Sequence, residues 1–447
     1  MPVRRANRAA MTTVMTGAPG GKGYRCPMPF RPQGLWRHPN FLKLWVGGTV
    51  SAFGSQITFL ALPLTAVLVL DASPLQMGVL AAIGGLPSLA FGVGVGVWVD
   101  RLRKRRVMIV ADYGRALLLL SVPIAAWLQV LRIEHLYAVA LGTGTLGMFF
   151  GVANRSILPS LVSREKLVEA NSKLAIGTSA SQVAGPGVAG VLIHVVTAPV
   201  ALVVDAVTFV ISALALRGIR LAEAEPATSA TGDNFLKQAR EGLVVVGRNR
   251  ILLPIAVAIG GIAVFNAMFE AVWLLYVNKE LQVEPLAFGF LFAVSSVGFM
   301  VGAFVAERLI RRLGPGPAMI VAVVIAALSD LVTPLAGGPL AAVVVLLTTS
   351  MFLFGIGATV YGVCQGSLRQ ATTPLRLQGR MNGIMNTLEI GLVPLGALVG
   401  GVVAEAFGMR PTLFVAAGLE LAVALWLFLS PIRSLRELPK PDESGDA

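Results

Sequence analysis

The sequence predicts an all-α integral membrane protein whose twelve transmembrane helices form two six-helix parallel repeats. Hydrophobic residues make up 55% of the 447-residue chain and charged residues only 13%. That composition leaves too little polar surface to cover a soluble globule of this size. Apolar stretches of about 20 residues recur along the chain, and each is long enough to cross ~30 Å of hydrocarbon as a helix. Basic residues gather on alternate connections between these stretches, as they do in multi-pass membrane proteins.

The predicted spans begin at Phe41 and end at Ser430. Strand alternation over ~10 residues, the signature of a membrane barrel, is not seen in these segments. Glycine and proline, 49 and 26 residues in the whole chain, are typical of membrane helices that pack closely and bend. The approximate bounds of the spans are 41–69, 75–99, 107–130, 136–156, 172–195, 198–216, 251–277, 286–310, 317–336, 339–362, 380–405 and 412–430.

Positive charge is divided unequally between the two sides of the predicted membrane. Of the 36 Lys and Arg residues, Arg115 falls within a span, and Arg132, Lys279 and Arg410 lie on odd-numbered connections. The others lie in the two tails, on even-numbered connections or at the span ends beside them. Because cytoplasmic loops carry the excess of Lys and Arg, both termini are predicted to be cytoplasmic, in a protein of the cell membrane. Anionic headgroups account for the net charge of +13, so membrane lipid, and not nucleic acid, is the expected partner.

The chain is predicted to divide into five segments. Residues 1–34 lack the apolar core of a cleavable signal peptide and are expected to be a disordered cytoplasmic tail. Residues 35–216 form the first six-helix bundle and 251–430 the second, while 431–447 form another cytoplasmic tail. The intervening cytoplasmic linker, 217–250, contains a segment from Asn234 onward that resembles an amphipathic helix on the inner membrane surface.

An internal repeat supports two equivalent halves. Asp100-Arg-Leu-Arg-Lys-Arg follows span two, and Glu307-Arg-Leu-Ile-Arg-Arg follows span eight. Glu169-Ala-Asn-Ser opens span five, and Arg380-Met-Asn-Gly opens span eleven. Because six is even, both halves enter the membrane from the same side and are related by an axis along the membrane normal. Halves related in this way place a substrate cavity at their interface.

These features resemble the major facilitator superfamily from Trp36 to Ser430. Gly96-Val-Trp-Val-Asp100-Arg101-Leu-Arg-Lys104-Arg105 is similar to the family's loop signature Gly-x-x-x-Asp-Arg-x-Gly-Arg/Lys-Arg/Lys, with Arg103 in place of the second Gly. The resemblance implies a cytoplasmic gate in which Asp100 caps a helix of the other half and the cations bind headgroups and nearby acids. A loop that only sets topology is the alternative. The gate residues are Gly96, Asp100, Arg101, Lys104, Arg105, Glu307 and Arg308.

Span five resembles the Gly-Pro-rich signature of the superfamily's exporters. Its segment Ala184-Gly185-Pro186-Gly187-Val-Ala-Gly190 supplies the motif residues Gly185, Pro186 and Gly190. Proline bends the helix, and small neighbours let another helix pack against the bend; plain packing is the alternative. The stretches His38-Pro-Asn-Phe-Leu-Lys-Leu-Trp45 and Leu158 to Asn171 narrow the resemblance to the subfamily that contains siderophore and macrolide exporters.

This resemblance implies secondary active efflux of amphipathic small molecules, such as drugs, siderophores or secondary metabolites, by proton antiport with alternating access. The sequence contains none of the common ATPase, metalloprotease or serine-hydrolase motifs, and three His offer few metal ligands. No enzymatic activity, cofactor or metal is therefore expected, the proton gradient is the expected energy source, and a monomer is expected. An importer or facilitator of a small solute and a non-transporting membrane receptor or scaffold are the alternatives.

Ionisable groups within spans are costly and mark functional sites by default. In the family fold the first, fourth, seventh and tenth spans line the cavity, so the resemblance makes Asp205, Asp330 and Glu420 peripheral, with interhelical hydrogen bonds as their expected role. Asp112 and Arg115 lie three residues apart on one face of span three. They are predicted to form a structural charge pair, extended to Arg155.

Glu270 in span seven is the first candidate for proton coupling or substrate contact. Asn266 and Trp273 share its helical face, and a carboxyl in a cavity can carry a proton. Glu389, with Asn386, is the second candidate, in span eleven. Further polar contacts to the substrate are expected from spans one and ten, through Gln56, Tyr361 and Gln365.

Overall fold

The computed structural model describes residues 35–91, 98–99, 102–219 and 235–439, and within these ranges the regular structure is helical throughout. The first half contains α1 Pro39–Leu70, α2 Pro74–Phe91, α3 Lys104–Trp127, α4 Ile133–Leu161, α5 Leu167–Val196 and α6 Ala198–Arg217. The linker contributes α7 Phe235–Arg248. The second half contains α8 Leu252–Lys279, α9 Pro285–Leu313, α10 Pro315–Leu335, α11 Leu340–Thr372, α12 Leu375–Gly391, α13 Val393–Phe407 and α14 Met409–Leu429.

The predicted all-α membrane fold is confirmed. In the described ranges, 11 helical stretches are long and apolar enough to cross a membrane, counting α12 and α13 as one. They correspond to every predicted span except the second. There α2 is apolar but shorter than the others, and residues 92–97, which the prediction includes in this span, lie outside the described part of the chain.

Span eleven differs from its prediction because it is not one continuous helix. Leu392 separates α12 from α13, and Pro394 lies in the first turn of α13, where its missing N–H leaves no intrahelical bond unmade. Pro186 occupies the corresponding span five, yet α5 stays continuous around it.

The linker helix α7 contacts the start of span eleven. Glu241 forms an ion pair with Arg380 on α12, and Gly242 lies so near the Arg380 carbonyl oxygen that an added Cβ would be 3.0 Å from it. We call this end of the bundle the linker side and the opposite end the far side. α7 is therefore held by α12 as well as being amphipathic in sequence.

The two halves meet closely toward the far side. α5 crosses α9 where a Cβ on Gly190 would lie 2.6 Å from Gly289 Cα, and α2 crosses α13 where a Cβ on Gly78 would lie 2.7 Å from Gly401 Cα. Only glycine permits such an approach between helix backbones. Polar contacts join the same regions, since Glu405 accepts a hydrogen bond from the Leu75 N–H at 3.1 Å.

Two of the three basic residues that depart from the charge bias have structural partners. Lys279 forms an ion pair with Asp71 of the other half and donates to the Ala72 carbonyl oxygen at 3.3 Å. Arg410 donates from Nε to the Pro334 carbonyl oxygen at 2.7 Å, at the end of α10. Their positions on the far side thus follow from helix packing and leave the charge prediction unchanged.

Candidate functional site

Three cavities lie among the helices, and two of them have walls from both halves. The N cavity, with a volume of about 490 Å³, is lined mainly by the first half and includes Thr58, Arg115 and Asp205. The C cavity, about 710 Å³, includes Gln56 and residues of α8 to α11. A side cavity of about 200 Å³ lies between α8, α11, α12 and α13. The two larger cavities have the volume of sites that bind drug-sized ligands.

Glu270 lines all three cavities. Beside it, Phe59, Trp273 and Phe292 line both large cavities, and we call these three residues the aromatic divider. The Phe292 ring lies edge-on to the other two, with centroid separations of 6.0 Å to Phe59 and 5.7 Å to Trp273. A group bound on either side of the divider can therefore approach the same carboxyl.

The Glu270 side chain reaches these cavities without a counter-charge. Among the described residues it makes no hydrogen bond or ion pair, and its side chain is exposed to cavity solvent. Asn266 and Trp273 line the C cavity with it, so the three side chains share one face of α8. The arrangement places the carboxyl of Glu270 beside an amide and an indole on α8 in the C cavity.

Glu389 has different surroundings. It lines the side cavity with Tyr361 and Gln365, and the charge of Arg369 acts on it. Arg369 also donates to Gln365 Oε1 at 2.8 Å and to Asn382 Oδ1 at 2.7 Å, which ties α11 to α12. Arg369 was not expected at the site. Its charge acts on Glu389, whereas no basic residue of the described ranges pairs with Glu270.

Asn386, predicted to accompany Glu389, is exposed and is not among the residues that line the three cavities. Gln56 lines the C cavity, as expected for span one. The structure thus brings Glu270, Asn266 and Gln56 to one cavity, and Glu389, Tyr361 and Gln365 to another that Glu270 also reaches.

Buried charges line the N cavity. Arg115 donates to Asp112, and its guanidinium lies 4.1 Å from the centroid of the Phe209 ring and 4.6 Å from that of Phe150. Asp205 accepts hydrogen bonds from Thr58 on α1 and, at 2.9 Å, from Thr208. Arg115 and Asp205 both line the cavity.

The prediction that Asp205 is peripheral is therefore wrong. α6 approaches α1 so closely that a Cβ on Gly54 would lie 2.3 Å from Asp205 Oδ1. The missing side chain at Gly54 lets the carboxyl extend beside α1 into the cavity. The expected interhelical hydrogen bond is made, because Thr58 lies on α1. Asp330 is likewise not peripheral, since it lines the C cavity.

The predicted extension of the Asp112–Arg115 pair to Arg155 is also wrong. α4 brings the Phe150 ring to Arg115. Arg155 lies more than one helical turn further along α4 and is exposed.

The described part of the predicted gate makes contacts within each half. Arg105 donates from Nε to the Leu216 carbonyl oxygen at 2.8 Å and also to that of Arg217, so it caps the end of α6. Glu307 pairs with Arg311 one turn along α9 at 3.2 Å, and Arg308 is exposed. Lys104 begins α3. Gly96, Asp100 and Arg101 lie outside the described residues.

Comparison with known proteins identifies the family. The model of the Major Facilitator Superfamily matches residues 44–389 and, in a second match, 271–446. The chain belongs to the major facilitator superfamily. It is therefore a multi-pass membrane protein of a transporter family and not an enzyme, as the resemblance implied.

Relatives in this superfamily cover nearly the whole chain. The multidrug efflux pump Tap of Mycolicibacterium fortuitum is 28% identical over 415 residues, which are 91% of this chain and 99% of that protein. Macrolide efflux protein A of Streptococcus pyogenes is 21% identical and covers 86% of this chain and 94% of its own. A crystal structure of the nucleoside transporter NupG shares the fold, with a TM-score of 0.70 at 15% identity over 87% of this chain and 98% of that one.

The exporter-like segment of this superfamily member lies between the halves. Gly185 faces α1, where an added Cβ would be 2.6 Å from Gln56 Cβ, and Gly190 faces α9 of the other half. Pro186 lines the C cavity. The segment therefore forms part of the cavity wall and part of the far-side contact.

Proposed function

We propose that this protein is a secondary active exporter that moves amphipathic small molecules across the cell membrane in exchange for protons. The position of Glu270 carries the proposal, because a carboxyl without a counter-charge among the described residues lies where three cavities meet. Export is supported by the efflux proteins among the relatives. Proton exchange is supported by the chemistry of the carboxyl.

The walls of the cavities fit an amphipathic substrate. Aromatic and aliphatic side chains of the divider and its neighbours can hold an apolar body, while Gln56, Asn266 and Glu270 offer a few polar contacts. An ionised Glu270 favours a cationic or hydrogen-bond-donating group of the substrate. Once protonated, the same carboxyl loses that attraction, so proton and substrate compete for one group.

Alternating access then follows from two arrangements of the halves. In the arrangement described, the far side is held shut by the glycine crossings and by the Lys279–Asp71 pair. We infer that the linker side is cytoplasmic, so this is the state that takes substrate from the cytoplasm and releases the proton there. Opening of the far side lets an external proton reach Glu270 and the substrate leave.

Glu270→Gln tests the coupling. Everted membrane vesicles with an imposed proton gradient should accumulate ethidium, our probe amphipathic cation, through the wild-type protein, and should lose this uphill uptake at least ~10-fold with the variant, since an amide carries no proton. Downhill ethidium exchange should persist.

Glu389→Gln is the matched control, because Arg369 compensates that acid. If Glu270→Gln takes up ethidium uphill normally and Glu389→Gln does not, the coupling residue is on α12. Transport by the wild type that does not depend on the gradient would indicate a facilitator.

The orientation is tested by labelling cysteines in intact cells. A cysteine substituted for Ser73, on the far-side connection, should react with a membrane-impermeant maleimide, whereas one substituted for Ser229 in the linker should react only after permeabilisation. The reverse pattern would place the linker and both termini outside.

A further inference from the structure

The carboxyl groups of Asp330 on α10 and Glu420 on α14 lie side by side within the second half. Their side chains are almost fully buried, with 6% and 3% exposure, the two helices that carry them pack against each other, and each carboxyl lies within interaction distance of the other. One oxygen of each, Asp330 Oδ2 and Glu420 Oε1, is buried without a hydrogen-bond partner in the described part of the chain. The proposed transport mechanism assigns neither residue a task.

Among the described residues, the charged groups that interact with this pair are acids. The charges that act on Asp330 are those of Glu420 and of Glu270 on α8, and the group that acts on Glu420 is Asp330. Within the described ranges, neither carboxyl forms an ion pair.

The other charged groups on helices that pack against α10 and α14 face different partners. On α8, Lys279 pairs with Asp71. On α11, Arg369 donates to Gln365 and Asn382, Tyr361 lines the side cavity, and Cys364 is buried in an apolar cluster. On α9, Glu307 pairs with Arg311, and Arg308 and Arg312 are exposed. On α13, Glu405 accepts from the Leu75 N–H, and at the far end of α14 Arg410 donates to the Pro334 carbonyl oxygen.

Two carboxyls in this setting need a proton. An ionised carboxylate only accepts hydrogen bonds, so a hydrogen bond between two carboxyls requires that one of them carry an O–H. An unpaired charge within the hydrocarbon region costs at least ~2.5 kcal/mol, and two adjacent negative charges without a cation cost more. One proton shared between the carboxyls removes the second charge, and a second proton makes the pair neutral.

The pair is also in contact with a cavity. Asp330 lines the C cavity, as do Glu270 and the hydroxyl-bearing residues Ser295, Thr333 and Ser350. Such a wall can hold water that passes protons. Glu420 is not among the lining residues, so Asp330 is the member through which a proton enters or leaves.

We propose that Asp330 and Glu420 together form a proton-binding site that exchanges protons with water in the C cavity. The neutral pair holds two protons. When the Asp330 O–H bond breaks, one proton passes to cavity water or to an ionised Glu270, and the remaining proton is shared between the two carboxyls, so the total charge is conserved. If the proposed export function holds, this site supplies the transporter with a second proton besides that of Glu270.

Infrared difference spectroscopy of the purified full-length protein in lipid nanodiscs tests the proposal. Protonated carboxyls give a C=O stretching band that shifts in D₂O. We expect such a band at neutral pH, shifting within the mixing time because the site is open to the cavity. Asp330→Asn and Glu420→Gln should each shift the band, because the remaining carboxyl stays protonated but loses its acidic partner, and the double variant should remove it.

Glu405→Gln is the matched control, since this acid lies on the far side and bonds to a backbone N–H; its spectrum should keep the band. If the single variants do not fold, wild-type protein with ¹³C-carboxyl aspartate or ¹³C-carboxyl glutamate assigns the band without any substitution, and either label should shift it. A band unchanged by both variants or by both labels, or one that resists D₂O, would overturn the proposal.

The experiment uses no substrate and no gradient, so its outcome is separate from that of the transport test. A shift of the band in both single variants and its loss in the double variant, with no proton-driven transport by the wild type, would leave the proton site intact and remove the export proposal. If proton-driven transport depends on Glu270 as expected but the pair gives no band, the export proposal would stand and the proton site would be ruled out.

Discussion

α3 and α6 of the first half occupy the same places in the six-helix repeat as α10 and α14 of the second, and both pairs of helices bury acids inside the membrane. In the first half the acids are Asp112 and Asp205, and Arg115 lies beside them with its guanidinium between two phenylalanine rings. In the second half the acids are Asp330 and Glu420, and no described basic residue pairs with them. Equivalent positions thus hold an ion cluster in one half and a pair of carboxyls in the other.

The cavity helices α1 and α8 differ in the same sense. α1 turns a hydroxyl, Thr58, toward the acid of its half, whereas α8 carries a further acid, Glu270. Hydrogen bonds and a cation fix the charge state of the first half, while a cluster of acids without a cation can change its charge only by binding or releasing protons. Proton chemistry is therefore expected in the second half, and a fixed electrostatic scaffold in the first.

Of the substitutions that test this difference between the halves, replacement of Arg115 should have the largest effect on stability. Arg115→Met leaves Asp112 and Asp205, both fully buried, without their cation, which should lower the free energy of unfolding by about 3–5 kcal/mol. Unfolding in detergent micelles measures the change. Arg155→Met is the matched control, because Arg155 is exposed on α4 and its loss should cost less than ~0.5 kcal/mol. Equal stability of the two variants would show that the first half does not depend on its cation.

Replacing one acid in each half by its amide should lower the free energy of unfolding by different amounts. Asp112→Asn removes the partner of Arg115 and should cost about 3 kcal/mol. Asp330→Asn replaces a carboxyl that already shares a proton, so one hydrogen bond is altered and the expected cost is about 1 kcal/mol. The same unfolding assay compares them. An equally large cost for Asp330→Asn would mean that the second half holds a fixed charge as well.

The fold was largely predictable because the length and apolarity of each span are local properties of the sequence. The break at Leu392 was not. Pro394 marks it, but Pro63, Pro123 and Pro186 lie inside continuous helices of this chain, so a proline alone does not show where a membrane helix is interrupted. Whether it does so depends on neighbouring helices that can satisfy the freed backbone groups.

The site was predictable in part, for a different reason. Glu270 follows from the rule that an acid within a span marks a candidate site, and its helix lines the cavities. Asp205 and Asp330 were excluded by treating helices as either lining or peripheral. Side chains of helices classed as peripheral still reach the cavities. Asp205 does so because Gly54 has no side chain to occupy the space beside α1. Contacts of this kind join residues far apart in the chain, and no local pattern encodes them.

The smallest effect expected concerns the hydroxyl that α1 provides. Thr58→Val removes one of the hydrogen bonds to Asp205 and leaves those from Thr208 and the nearby Arg115 charge, so the free energy of unfolding should fall by about 1 kcal/mol. Thr65→Val is the matched control on the same helix. Its hydroxyl donates at 2.7 Å to the Ala61 carbonyl oxygen within α1, an oxygen that also lies within the helical hydrogen-bond ladder, so its loss should be nearly neutral.

A double-mutant cycle completes that test. In an Asp205→Asn background, Thr58→Val should cost about half as much or less, because the hydroxyl no longer faces a charge. An unchanged cost would mean that Asp205 is uncharged in the native protein. The first half would then hold a protonated acid as the second is proposed to do, and the difference between the halves would reduce to the presence of Arg115.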